Sequence, residues 1–501
     1  MKTIRLMACV LLVPSLALCA DAVRIVNFMP YMRAGRIAMI MQVTNTQSKA
    51  ASVALAARLG ERMTCATNLT VAARGSKRAI LAFGDLPEDF NLLDFGWNVS
   101  AKAPDGTVDA KSGRANAAAA FDYLAKTLIA RQQTLPNARY SDCFFADVYA
   151  ARALMGLGAV RQNKVWLESG RRWVEEGLVA RQFPDGGYPM GYSEEDGVHW
   201  VADNGTAALG VVAAAALFPE CRARYLDSVQ RYYAFRDSFY QSPERVAALE
   251  KAFSKQPQYT REGFYGIGMN DGDYLERYIL KEKCRAEKRA VPPKPANRPL
   301  VRTERGFAWV NGISLLSLPS YWRLTGAPDV LKTAQRDLAN YVGLAPAVNY
   351  FGAETLFNCV HFLPASEATA PARELLGKFV TQVSHAGGKD TDGRRPHDKG
   401  GRNTLNALTA VYLLNNGSAS QRQTLRAYVA YMMWYVASPD YRRSVYNAAN
   451  LYGKAKAPKT VWAKTSAARY EAMTMPWLVE LLSPGCTLIG ASRDHREREE
   501  K

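Results

Sequence analysis

From residue 115 onward the hydrophobic positions define two alternating kinds of helix. One kind is apolar on one side and charged on the other: 117–133, 164–182, 219–240, 329–342, 367–385 and 420–436. The other is apolar nearly all round: 141–158, 203–218, 306–318, 353–363, 403–414 and 467–482. A helix with a charged stripe faces water there, whereas a helix with no wet face is enclosed by its neighbours. The clearest enclosed case is 207–218, where no side chain is polar. Asp203 and Asn204 are good N-cap residues and predict its start. Six helices of each kind in alternation predict an inner ring wrapped by an outer one.

The connections carry a second signal. Inner-to-outer links are short (159–163, 319–328, 364–366, 415–419), whereas outer-to-inner links are mostly long (183–202, 241–305, 386–402, 437–466). Long ordered loops tend to carry function. In an antiparallel ring they all emerge on the face that holds the inner-helix N-termini, giving a plain floor and a loop-built mouth. Ahead of the helices, 23–112 reads as strands at 23–28, 36–44, 52–59, 63–71, 77–83 and 95–101, separated by turn residues. These predict a small Ig-like β-sandwich. Trp97 and Tyr31 are its candidates for stacking on a sugar.

The expected fold class is therefore mainly α: an (α/α)6 toroid of six helical hairpins over 113–486, with an insert at 241–305, preceded by a small N-terminal β-sandwich. Over about 115–486 this pattern resembles the toroid of the six-hairpin glycosidases and polysaccharide lyases. Gln182-Phe-Pro-Asp185-Gly-Gly-Tyr188 looks like the Gln-x-x-Asp-Gly-Gly-aromatic turn of several toroid families, terpene cyclases among them. The chain has no Asp-rich ionisation motif of the cyclase kind, and no family-specific catalytic signature is recognised. The resemblance implies a carbohydrate-cleaving enzyme.

Composition narrows this picture. Residues 1–22 read as a secretory signal peptide, with Lys2 and Arg5, an apolar run over 6–17, and Ala20-Asp21-Ala22 as cleavage site. No later apolar run reaches the roughly 20 residues of a membrane span, so the expected location is secreted or periplasmic. The formal net charge is +18. A basic balance on an exported chain suits an acidic polymer such as a uronate-bearing or sulfated glycan, and reads equally as a solvated surface. No nucleic-acid motif is present. The cysteines beyond the leader are far apart, which excludes C-x-x-C zinc or redox chemistry, and Cys143 and Cys359 fall in enclosed helices as small apolar residues. Asp390-Thr-Asp392-Gly lacks the rest of a calcium-loop spacing. No metal and no cofactor are implied. Residues 281–305 hold nine Lys/Arg, three Glu and four Pro and read as an exposed arm. Residues 487–501 read as a charged, disordered tail.

Hydrolysis of a glycoside needs two carboxyl groups across one bond. The inner-helix starts offer Asp142, Asp203, Glu354 and Glu471; helix N-termini stabilise anions, and capping is the plainer use of each. The hydrolase reading puts Asp203 and Glu354 in the acid and base roles, with Asp271 as the alternative carboxylate. Lysis of a uronate instead needs a carboxylate clamp and a base, which Arg402 with Asn403, and His199 or Tyr350, can supply. Substrate-binding candidates are Asp185, Tyr188, Tyr192, Trp200, Asn204, Tyr350, Arg402 and Asn403. The alternative of another class is a non-catalytic glycan or cell-envelope binding protein on the same scaffold.

Overall fold

The structure is a computed structural model that describes residues 23–141, 143–189, 201–252, 261–266, 284, 287–290, 304–346, 348, 350–384, 400–437 and 467–487. At 31, 202, 248–252, 304–307, 350–351, 400–405 and 467–470 it describes the backbone alone.

Seven strands come first: β1 (Val23–Arg33), β2 (Arg36–Asn45), β3 (Ala51–Leu59), β4 (Met63–Val71), β5 (Ser76–Ala82), β6 (Asp94–Lys102) and β7 (Val108–Asn116). They form two antiparallel sheets, ordered β1-β2-β5 and β4-β3-β6-β7. Val53, Leu55, Ala57 and Leu59 of β3 alternate with exposed or half-buried neighbours and point into the core, as period-2 patterning requires. The sequence reading missed β7. Its residues Val-Asp-Ala-Lys-Ser-Gly-Arg-Ala-Asn are mostly exposed at a sheet edge, so no apolar alternation marks it.

The helices are α1 (Ala117–Thr134), α2 (Phe144–Val160), α3 (Lys164–Arg172), α4 (Val201–Leu217), α5 (Arg222–Asp237), α6 (Pro243–Ala252), α7 (Glu304–Leu315), α8 (Leu318–Thr325), α9 (Pro328–Gly343), α10 (Tyr350–Phe362), α11 (Thr369–Val383), α12 (Gly400–Asn416), α13 (Ala419–Ala437) and α14 (Ala467–Leu482). Among the described residues α2, α4, α7, α10, α12 and α14 each pack on the next, and α14 packs back on α2, closing a ring. Outside it α3 covers α2, α5 covers α4, α9 covers α7, α11 covers α10 and α13 covers α12. The last inner helix, α14, is covered by the first outer one, α1. The chain thus folds as an (α/α)6 toroid of six helical hairpins. In this ring α2 and α10 stand opposite each other.

Four details depart from expectation. The outer helix at 164–182 is not continuous: α3 passes into a π turn (Trp173–Leu178) and a 3-10 turn (Val179–Arg181). The link after α7 is itself helical, as α8. The enclosed helix at 201–217 begins two residues before Asp203, which lies in its first turn rather than capping it. Finally, α13 reads as amphipathic, yet from Leu425 to Tyr435 nearly every residue is buried. Its outer face does not meet water because β1, β2 and β7 lie on it.

That contact is specific. Trp434 of α13 lies 5.8 Å from Phe83 and 6.3 Å from Trp97, ring centre to ring centre. Arg426 Nη2 donates to the carbonyls of Pro87, Glu88 and Phe90 at 3.3, 2.7 and 2.9 Å. Trp97 is only 3% exposed, so it serves this junction and is no sugar platform. Gly113 faces it because a Cβ there would lie 2.4 Å from the indole.

Candidate functional site

Two sets of polar residues lie on the inner helices, facing opposite ways. The outward set forms three similar buckles at the mouth end. In each, a tyrosine from the segment leading to an inner helix is held by that helix through its backbone and by the neighbouring outer helix through its hydroxyl. The Tyr140 N–H donates to Asp147 of α2 at 2.9 Å, and its hydroxyl donates to the Ser169 carbonyl of α3 at 2.8 Å. The Tyr188 N–H donates to Asn204 Oδ1 of α4, and Asn204 Nδ2 donates to the Tyr188 carbonyl at 2.9 Å. The Tyr188 hydroxyl meets Ser228 Oγ of α5 at 2.8 Å. Asn311 of α7 holds Tyr265 likewise, at 2.8 and 3.1 Å, and the Tyr265 hydroxyl donates to Asp337 of α9 at 3.1 Å.

The likeness extends further. Two residues before each tyrosine stands a left-handed residue: Ala138 at φ 50°, Gly186 at 94° and Gly263 at 83°. Its carbonyl accepts from Gln132, Gln182 and Asn340 respectively. Gln132 and Gln182 also bind Ser169 and Ser228 in the same two-way manner. A backbone N–H or C=O buried without a partner costs about 1–3 kcal/mol, so these amides fix where the loops enter the ring. Burial pushes the hydroxyls of Tyr140, Tyr188 and Tyr265 well above their ordinary pKa, so all three remain donors at neutral pH.

The inward set is different. Phe145, Tyr149, Arg152 and Gly156 recur at i, i+4, i+7 and i+11, which places them on one face of α2. That face looks across the ring. Tyr149 donates to Glu354 Oε2 at 2.6 Å and Arg152 Nη1 to Glu354 Oε1 at 3.1 Å, and Glu354 belongs to the opposite helix, α10. A cross-strut of charge therefore spans the lumen at mid-depth. Glu354 is 1% and Arg152 2% exposed.

Below the strut, Arg152 Nη2 donates to the Thr487 carbonyl at 3.3 Å. Thr487 is also bound by Tyr412 of α12 at 3.1 Å. Glu480 of α14 accepts from the N–H groups of Thr487 and Gly485, both at 2.7 Å. The turn 483–487 thus closes the lumen from the floor. Gly156 is required there, since a Cβ would lie 2.4 Å from the Cys486 carbonyl oxygen. Thr487, expected to begin the tail, is buried.

Burial pushes the Tyr149 hydroxyl well above its ordinary pKa, and Glu354 adds to the shift. Burial pulls the Arg152 guanidinium down, but Glu354, Tyr412 and Tyr149 together leave it above its usual value. Both groups are therefore permanent donors to Glu354. Burial raises the pKa of Glu480 against the hydrogen bonds that lower it.

The sequence-derived candidates fall as follows. Glu354 lies on the axis, and Asp203 lies partly exposed in the first turn of α4. Asn204 and Tyr188 are buried in the second buckle. Asp185 is exposed and accepts from the Gly187 N–H at 3.1 Å, forming the turn. Tyr350, Arg402 and Asn403 occupy the starts of α10 and α12, with side chains outside the described residues. His199, Trp200, Tyr192, Asp271 and Asp142 also lie outside them. Glu471, expected near the mouth, turns away: Arg131 of the outer helix α1 donates to it at 2.5 Å. Sequence reasoning missed Tyr149 and Arg152. The available signal was Arg152 itself, the sole basic residue in an apolar helix. Half-buried Phe145 and Trp309 lie near the mouth-side starts of α2 and α7.

No family model matches the chain, and no curated protein matches it. Among solved structures, a thermostable endoglucanase from Alicyclobacillus acidocaldarius is similar over 92% of this chain and 100% of its own, at 11% identity and a TM-score of 0.39. A family 76 glycoside hydrolase from a bovine Bacteroides thetaiotaomicron strain is similar over 91% of this chain and 98% of its own, at 12% identity and a TM-score of 0.37. An Escherichia coli alpha-2-macroglobulin activated by porcine elastase is similar over 92% of this chain and 38% of its own, at 12% identity and a TM-score of 0.31. At such identities no residue's role passes from those chains to this one.

Proposed function

We propose that the protein is an exported carbohydrate-active enzyme that hydrolyses glycosidic bonds at the mouth of the ring, with Glu354 as the axial carboxylate and Asp203 as its partner. The supporting observation is the strut. Glu354 is the described carboxylate that faces the lumen from an inner-helix N-terminal half, and both its oxygens are held by donors from across the ring. A carboxylate fixed by two donors is placed to accept, which fits the base or nucleophile role of the pair. Asp203, partly exposed, then takes the acid role. Substrate approaches the strut from the mouth side, past half-buried Phe145 and Trp309. The chain's positive charge favours an acidic glycan, and the leader-like residues 1–22 favour action outside the cytoplasm.

The test is reducing-end release from a panel of polygalacturonate, alginate, chondroitin sulfate, xylan and β-glucan, monitored together with absorbance of unsaturated uronides. On a substrate that is cleaved, Glu354→Gln is expected to lower kcat at least 100-fold with folding retained by circular dichroism. Full turnover by Glu354→Gln and Asp203→Asn would overturn the assignment. Salt-sensitive binding without any product would leave a glycan-binding protein, and unsaturated products a lyase.

A further inference from the structure

We propose that the lower lumen, between the strut and the 483–487 turn, is a sealed chamber holding a resident cluster of ordered water. This inference stands whether or not the enzyme reading does. Its basis is a set of unmet hydrogen-bonding groups on three helices of the inner ring, of which α2 and α10 stand opposite each other. A guanidinium has five N–H donors. Among the described residues Arg152 makes one bond from Nη1 to Glu354 and one from Nη2 to Thr487, and its Nε meets no acceptor. Asn358 is 1% exposed, and among the described residues neither its amide nitrogen nor its amide oxygen has a partner. The indole N–H of Trp477, fully buried, has none either.

Their placement puts these groups around one space. Asn358 follows Glu354 by one helical turn on the same face of α10, about 6 Å lower. Arg152 reaches from Glu354 above to Thr487 below, passing that level. Trp477 lies one turn above Glu480 on the same face of α14, and Glu480 binds the same Thr487. Buried amides and guanidinium donors are almost always satisfied, and water satisfies those that protein does not. Several donors plus one amide acceptor suit water, which both gives and accepts. A bound anion fits less well, because Glu354 and Glu480 already act on the Arg152 guanidinium.

The test is a crystal structure of the mature protein, grown without polyols, at a resolution that shows ordered water. Expected are oxygen peaks within hydrogen-bond distance of Arg152 Nε and of both Asn358 amide atoms. An empty chamber would overturn the proposal, as would an Asn358 amide bonded to protein. Thermal melts give an independent readout. Asn358→Leu is expected to lower Tm by about 2–4 °C, because the water loses a partner. Asn358→Ser, which keeps a hydroxyl and leaves room for one more water, is expected to stay closer to the parent. A higher Tm for Asn358→Leu would mean that the chamber is dry, and would overturn the proposal.

Discussion

The same inner helices carry polar side chains outward into the buckles and inward onto the axis, and the two sets differ in how completely they are matched. On the outward side Asp147, Asn204 and Asn311 each meet the backbone of a tyrosine, and each tyrosine hydroxyl meets the next outer helix. Such a set holds the fold and has little left to offer a ligand. On the inward side Glu354 is held from across the ring, while Arg152 and Asn358 retain groups unmet among the described residues. A buried polar residue spent on holding a loop's backbone, as in the buckles, marks architecture. One left with unmet groups marks a place where something other than protein belongs.

The largest effect that would test this contrast is at the strut. Arg152→Met leaves Glu354 buried without its cation and should cost about 3–5 kcal/mol in denaturant unfolding. Adding Glu354→Leu removes the stranded charge, and the double variant should recover most of that loss. Failure to recover would show that the two residues do not act as a pair. Next is the second buckle. Asn204→Ala strips the Tyr188 N–H and C=O of their partner and should cost about 2–4 kcal/mol. Tyr188→Phe, which loses one hydroxyl contact, should cost about 1 kcal/mol. Were Asn204 a ligand-binding group with slack, its removal would leave stability unchanged.

A smaller effect is expected with pH. Burial raises the pKa of both Glu480 on the axis and Asp337 in the third buckle. Each holds its proton more tightly folded than unfolded. The stability this gives is fully present below the ordinary carboxylate range and is lost as pH rises through the raised values. In a stability-against-pH profile, Glu480→Gln should flatten that decline by one group's share while Asp337 retains its own. The smallest effect is at the repeated left-handed position, which is glycine in two buckles and alanine in the first. Ala138→Gly relieves the strain at φ 50° but loosens the unfolded chain, so its net change should stay within about 1 kcal/mol. A loss of several would mean that the first buckle is built on a different principle.

The helical ring was legible because enclosure is written in composition. An inner helix such as Val201–Leu217 has no wet face, and no other packing accommodates it. Partner geometry was not legible. The hydrophobic pattern gives Glu354 the right helix and height, but that Tyr149 and Arg152 reach it depends on which helices stand opposite, a property of ring closure. The Gln182–Tyr188 motif drew attention as a possible ligand site. Its repetition at Gln132–Tyr140, and in part at Gly263–Tyr265, was hidden by differing spacing and by an alanine in the glycine position. Strand β7 and the covered face of α13 were missed for one reason: each depends on a neighbour that local patterning does not name.

The clasp between Trp434 and the sheets has a practical corollary for anyone wishing to trim the chain. Removing residues 23–116 would bare a strip of aromatic and aliphatic side chains along α13, together with the Arg426 head that now sits on three carbonyls. The shortened protein would be sticky rather than simply smaller. A soluble minimal version would first need that strip rewritten in polar residues, because the amino-terminal sheets are what now keep it from water.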